Sequence, residues 1–193
     1  MTATRKDIIT LPNPHLRQRS KKIGVITDEI RAIIADMEAA TLDWEDSRKH
    51  EVGVALAAVQ IDKLLRIVVI REDLDDKKNR TFRVFINPVI TKKEGKIVKD
   101  YEGCLSIKDI YGKVPRYSKI RVKALGLDGD EFRVTIEGFM ARVFQHEIDH
   151  TNGIVFIDHI KENPQAFYRL GDDGKLEELN YEKEIKDNAS LWS

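Results

Sequence analysis

Cysteine is almost missing from this 193-residue chain, which has Cys104 and no other. A disulfide framework is thereby excluded, and a reducing compartment fits. No apolar run approaches the roughly 20 residues that a membrane span requires. The opening stretch "MTATRKDIITLPNPHLRQRS" has no long apolar segment, so no secretory signal is visible. Charge of one sign is not in excess either, since 33 Lys and Arg face 33 Asp and Glu. That balance argues against non-specific binding to DNA or to an anionic membrane. Internal repeats and low-complexity tracts are lacking. What is present is a globular composition, 41% apolar and 34% charged. This length supports one domain with a sizeable core. The expectation is a soluble cytoplasmic protein without DNA or membrane partners.

The apolar pattern divides the chain into elements. Thr27 suits a helix N-cap, and Asp28 and Glu29 complement the positive helix start. Ile30, Ile33, Ile34, Met37 and Thr41 follow at helical spacing, which predicts an N-terminal amphipathic helix ending near Trp44. "EDSRKHE" reads as a polar loop. "LLRIVVIR" and "TFRVFINPVI" are rich in β-branched and aromatic residues and predict strands. "SKIRVKALGLDGDEFRVTIEGF" alternates on both sides of Asp128-Gly129, a hairpin signal. A second helix is expected from Phe139 to Asn152, stopped by Gly153. After it, "IVFI" reads as a short strand, and Asn163-Pro164 as the cap and first residue of a short helix. The fold class is therefore α+β, with mostly antiparallel sheets packed around the second helix. One catalytic domain is expected over residues 1–170, followed by a charged tail, loose or docked, over 171–193.

The second helix carries "QHEIDH". Four residues advance a helix by 400°, so His146 and His150 lie about 40° apart on one face. Two imidazoles so placed can converge on one ion. Glu147 reaches the edge of the same region as a carboxylate base, which is the logic of an HExxH motif. Asp149 points away and either orients a neighbour or faces solvent. The competing reading is a solvated polar helix face. Phe139, Val143 and Ile148 give the helix apolar sides, so it is expected to be buried, and buried imidazoles need partners. A third ligand is required. Asp158 and His159 downstream are candidates. Cys104, which follows Gly103 at a bend between strand-like stretches, is another.

Three segments in order, "GVALAAVQ" (53–60), "EGCLS" (102–106) and "QHEIDH" (145–150), resemble the signature segments of peptide deformylases. "LPNPHLR", "VFINPVI" and "VPRYSKIRVKALGLDGD" are similar to that family too, so the resemblance runs from about Ile8 to Ile160. It implies a hydrolase that removes the formyl group from the N-terminal formyl-methionine of new polypeptides. It implies one divalent metal ion held by Cys104, His146 and His150, with Fe²⁺ as the native ion and Zn²⁺, Ni²⁺ or Co²⁺ accepted. Metal-activated water would attack the formyl carbonyl, with Glu147 as general base and then acid. The resemblance gives the Leu105 backbone N–H and the Gln60 side-chain amide the task of stabilising the oxyanion. It assigns Val54, Phe139 and Val143 to the slot for the methionine side chain; Glu102 and Arg116 are expected to pair, either bracing the motif strand or as a surface ion pair of little consequence. Its partners are N-formylmethionyl nascent peptides and, at the exit tunnel, the ribosome.

The chain departs from the family pattern at several places. Ala55 stands where a second glycine is usual. Its N–H can still bond substrate, but its methyl limits close approach and positive φ. Val59 and Lys108 stand where proline is common. The loop "DWEDSRKHE" is longer than usual and can reshape the cleft rim. Two rival functions share these residues. A metalloprotease or other amidase would need a ligand downstream of His150 and no Cys104. A non-catalytic binder of formylated peptides would not need Glu147, Gln60 and all three ligands intact.

Overall fold

Strand β2 (Ile67–Arg71) opens with four apolar residues in a row, Ile67 to Ile70, because both of its faces are covered. The computed structural model describes residues 2–49, 51–74, 76, 78–171 and 173–192. In it Ile67 and Val69 enter one core cluster, and Val68 and Ile70 enter another. Side chains alternate across a strand, so four consecutive apolar residues serve two layers. Strand β1 (Ala55–Ala57) repeats the division, with Leu56 on the first side and Ala55 and Ala57 on the second. Helix α1 (Asp28–Asp46) covers the first face through Ile30, Ile33, Ile34 and Met37. Helix α2 (Gly138–His150) covers the second through Ala141, Val143, Phe144 and Ile148. The helix that carries the histidines is thus pressed onto the sheet by its apolar side.

Strands β3 (Phe82–Cys104) and β4 (Ile107–Leu125) form a long hairpin. Strand β5 (Glu131–Glu137) pairs with β4 after a turn in which Gly129 takes φ 87°. Strands β6 (Phe167–Leu170) and β7 (Leu176–Glu178) complete the sheet. The order is β1-β2-β3-β4-β6-β7, with β5 also on β4, and every strand pair is antiparallel. The fold is α+β, and the sheets expected in the plural are one seven-stranded sheet. Register shifts along β3–β4, the last between Glu102 and Cys104, bend the hairpin as bulges do. Its tip is the "EGCLS" segment: Cys104 pairs with Ile107, and Leu105 and Ser106 make the turn.

The element ends show what the pattern could and could not give. Thr27 Oγ1 accepts from the Ile30 N–H at 3.4 Å, and α1 runs past Trp44 to Asp46. In the loop that follows, His50 lies outside the described residues. Helix α2 stops at His150, earlier than Asn152, and Gly153 takes φ 75° with its backbone against the Arg17 carbonyl. "IVFI" is not a strand. Phe156–Ile160 is a 3-10 turn, with Asp158 Oδ2 accepting from the Val155 N–H at 2.9 Å. Val155, Phe156 and Ile157 are all buried in one cluster, which a strand with alternating sides could not achieve. Asn163 makes no side-chain cap, and Pro164 opens only the three-residue turn Pro164–Ala166.

The segment after residue 170 is docked. The β6–β7 hairpin spans the expected boundary, and Ile185 and Leu191 are buried in the third cluster with Phe156 and Phe167. Arg17 Nη2 donates to the Leu191 carbonyl at 2.8 Å, and Trp192 Nε1 to the Ile185 carbonyl at 2.7 Å. Among the described residues no helix is long and apolar enough to cross a membrane.

Candidate metal centre and active site

The β3–β4 tip and helix α2 meet where three ligand atoms converge. Those of Cys104, His146 and His150 lie within 4.8 Å of one another. Cys104 Sγ is 3.2 Å from His150 Nε2, and the two imidazole centroids are 4.9 Å apart. His146 Nδ1 lies 2.9 Å from Glu102 Oε2. A carboxylate there accepts a hydrogen bond from Nδ1–H, which fixes the tautomer and leaves the Nε2 lone pair free to bind a metal. Phe156 stacks on the His146 ring with centroids 6.0 Å apart. Asp158 and His159 are elsewhere: Asp158 pairs with Arg17, and His159 Nε2 sits 2.7 Å from Asp149. A sulfur and two imidazole nitrogens so gathered are a donor set for one divalent transition ion. Two buried polar atoms beside it, Glu147 Oε2 and His150 Nδ1, have no partner among the described residues. The residues therefore fit a metal.

Buried charge holds the motif strand to the helix. Glu102 accepts from Arg116 Nε and Nη2 at 2.9 and 3.0 Å, and from Arg142 Nη1 at 2.8 Å. Arg142 also donates to the carbonyls of Val114 and Val98, both at 2.7 Å. Arg116 Nη1 reaches Asp149 Oδ2 at 2.5 Å, so Asp149 orients a neighbour rather than facing solvent. Burial alone would raise the Glu102 carboxyl, but hydrogen bonds and charge from His146 and Arg116 prevail and hold it well below the usual carboxylate range. Asp149 is likewise held down by His159 and Arg116 against its burial. His150 is pushed down by burial and by His146, which favours the neutral imidazole that binds metal. Burial pushes Glu147 up to about 7.

Gln60 is fixed at both ends of its amide. Oε1 accepts from the Ala57 N–H at 2.9 Å, and Nε2 donates to Ser106 Oγ at 3.1 Å. Nε2 also lies 3.6 Å from Cys104 Sγ. An open cleft of about 1250 Å³ is lined by Gln60, Cys104, Leu105, His146 and Glu147, with Val54, Ala55, Phe139 and Val143 on its walls. Val143 is buried, whereas Phe139 is 54% exposed and stands at the rim. Phe139 thus does not give α2 a buried apolar side; Val143 and Ile148 do. Ala55 pairs with Ile70 in extended backbone, so its methyl is accommodated without a positive φ. Lys108 is exposed at the start of β4 and lines the cleft, and Val59 is fully buried.

Sequence reasoning missed four contributors. Arg142 precedes His146 by four residues, so helical spacing could have put it on the ligand face. Ser106 sits inside the quoted motif, but its bond to Gln60 is a long-range contact with no local signal. Leu170, the last residue of the expected domain, and Leu176, from the presumed tail, line the same cleft.

Comparison with known proteins agrees with this geometry. The profile of the family described as polypeptide deformylase matches residues 5–166. The chain is 40% identical over 166 residues to the peptide deformylase of Thermomicrobium roseum, covering 84% of this chain and 90% of that one. It is 42% identical over 156 residues to the peptide deformylase of Mesorhizobium japonicum, covering 80% and 84%. It superposes on the Met-Ala-Ser-bound crystal structure of the class I type b peptide deformylase from Acinetobacter baumannii with a TM-score of 0.71 and 25% identity, over 83% and 99% of the two chains. The match of profile, sequence and backbone over the part that carries Cys104, His146 and His150 leaves one assignment: this chain is a member of the polypeptide deformylase family.

Proposed function

We propose that this chain hydrolyses the formyl group from the N-terminal formyl-methionine of newly made polypeptides, using one divalent metal ion held by Cys104, His146 and His150. The observation that carries this reading is the convergence of those three side-chain atoms beside a buried Glu147 whose Oε2 has no partner among the described residues. Fe²⁺ is the native ion in this reading, and Zn²⁺, Ni²⁺ or Co²⁺ can replace it. A divalent ion supplies Lewis acidity that makes a water molecule acidic near neutral pH.

The chain's own groups do the rest. Glu147 takes the proton from the attacking water and returns it to the leaving amine. Gln60 Nε2 and the Leu105 N–H face the developing oxyanion. Val54 and Val143 hold the methionine side chain, with Phe139 closing over it from the rim and the Ala55 backbone beside the peptide. Glu102 fixes the His146 ring, and Arg116 and Arg142 fix Glu102. The Met-Ala-Ser-bound relative is consistent with a peptide in this cleft. In this reading the enzyme meets its substrates in the cytoplasm, at or near the ribosome.

The test is turnover of formyl-Met-Ala-Ser by the metal-loaded protein, with metal content measured in parallel. Wild type should deformylate the peptide. Cys104→Ala should lose both metal and activity, and Glu147→Gln should keep metal and lose about 10²–10⁴ in kcat. A Cys104→Ala variant that retained its metal and its rate would sink the proposal and favour a protease-like site.

A further inference from the structure

The matched part of the chain ends at residue 166, yet the cleft does not. Its far wall is the β6–β7 hairpin. Leu170 and Leu176 are directly paired across the two strands, so their side chains share a face, and both line the cleft that holds Cys104 and Glu147. Tyr101 and Ile110 line it beside them. Tyr101 is 38% exposed, and its ring is set edge-on against Tyr168 of β6 with centroids 5.0 Å apart. The wall is therefore apolar and accessible.

Tyr111 ties this wall to the reacting end. Its backbone pairs with Tyr168 in β6, and its hydroxyl donates to Glu51 Oε1 at 2.5 Å, across to the loop after α1. Its ring lies over Gly103, where a Cβ would stand 2.6 Å from Tyr111 Cε1. Gly103 is the residue before Cys104, so hairpin, loop and motif strand are held as one unit.

We propose that Tyr101, Ile110, Leu170 and Leu176 form an apolar subsite for a side chain of the substrate downstream of its formyl-methionine, and so set sequence preference beyond the first residue. This rests on the proposed function. The occupant is the substrate polypeptide because the wall belongs to the same cleft as the metal cluster. A chain whose first residue sits at the cluster must leave along the cleft. Aromatic and leucine side chains there select apolar residues by burial.

The experiment compares kcat/KM for formyl-Met-Ala-Ser with formyl-Met-Leu-Ser, formyl-Met-Ala-Leu and formyl-Met-Ala-Ser-Leu on metal-loaded enzyme. At least one leucine peptide should be favoured about tenfold by wild type. In L170S/L176S that ratio should fall to near one; Leu176→Ala, a milder change, should give an intermediate ratio if the double variant does not fold. Equal kcat/KM for all four peptides in wild type, or a tenfold preference that survives in the variants, overturns the subsite while leaving deformylation intact. No turnover of any formyl peptide overturns the deformylase reading and the subsite with it.

Discussion

At the scale of single residues, the decisive feature is how few degrees of freedom the site side chains retain. Gln60 is bonded through both amide atoms, so its Nε2 is pre-aimed at the sulfur side of the cluster. Gln60→Leu removes that donor. Steady-state kinetics should show kcat down by about 10²–10³ with KM nearly unchanged. A rise in KM alone would remove Gln60 from the oxyanion role. Tyr111 gives a second residue-level prediction. Burial and the Glu51 carboxylate push its phenol well above its ordinary value near 10. A group whose folded pKa is raised stabilises the fold fully below its unfolded pKa and loses that contribution as the pH rises toward the folded value. Urea unfolding should therefore show the stability gap between wild type and Tyr111→Phe shrinking from about pH 9 to about pH 11.5. A constant gap would mean that the phenol is not shielded. The His146–His150 pair could be anticipated from residue types and spacing, because a helix fixes the i, i+4 geometry, whereas spacing left the third position open and Cys104 came from the resemblance of "EGCLS" to the family's signature segment. The pairings of Ser106 and Tyr111 could not, because they depend on strands meeting far apart in sequence.

At the scale of elements, α2 is a polar helix made tolerable by its surroundings. Arg142, Gln145, His146, Glu147 and His150 are all buried on it. Gln145 bonds both the N–H and the carbonyl of Tyr117 in β4, at 3.2 and 2.9 Å, and Glu102 pairs with both Arg116 and Arg142. Glu102→Ala would leave Arg116 and Arg142 buried with one carboxylate fewer. Denaturant titration should find a loss of about 3–5 kcal/mol, the usual cost of breaking a buried pair from one side. The same network sets the acid limit. Glu102 and Asp149 have lowered folded pKa values, so their contribution is present above the unfolded carboxylate range and lost as the pH falls below it. Helix α1, the hairpin at Asp128-Gly129 and β2 were readable because period and turn residues encode them locally. "IVFI" misled because four apolar residues in a row do not distinguish a strand from a turn buried on every side.

At the scale of the whole molecule, the described residues build one sheet with α1 on one face, α2 on the other and a third core that takes in the last segment. That third core was invisible in the sequence because the stretch from residue 171 is dominated by charge, and its few apolar residues carry no clear period. Yet Ile185 is fully buried and Leu191 nearly so. Ile185→Ala should cost about 2–5 kcal/mol in denaturant unfolding, as for other core isoleucines. A change under about 0.5 kcal/mol, typical of surface sites, would show that the segment detaches in solution. The scarcity of sulfur has its own use. With one thiol in the sequence, placed at the cluster and lining the open cleft, a chromogenic disulfide reagent added to native enzyme has a single target. The colour released per mole of chain then counts the molecules whose Cys104 sulfur is free, so on the proposed reading a spectrophotometer would report how much of a preparation carries an ion there.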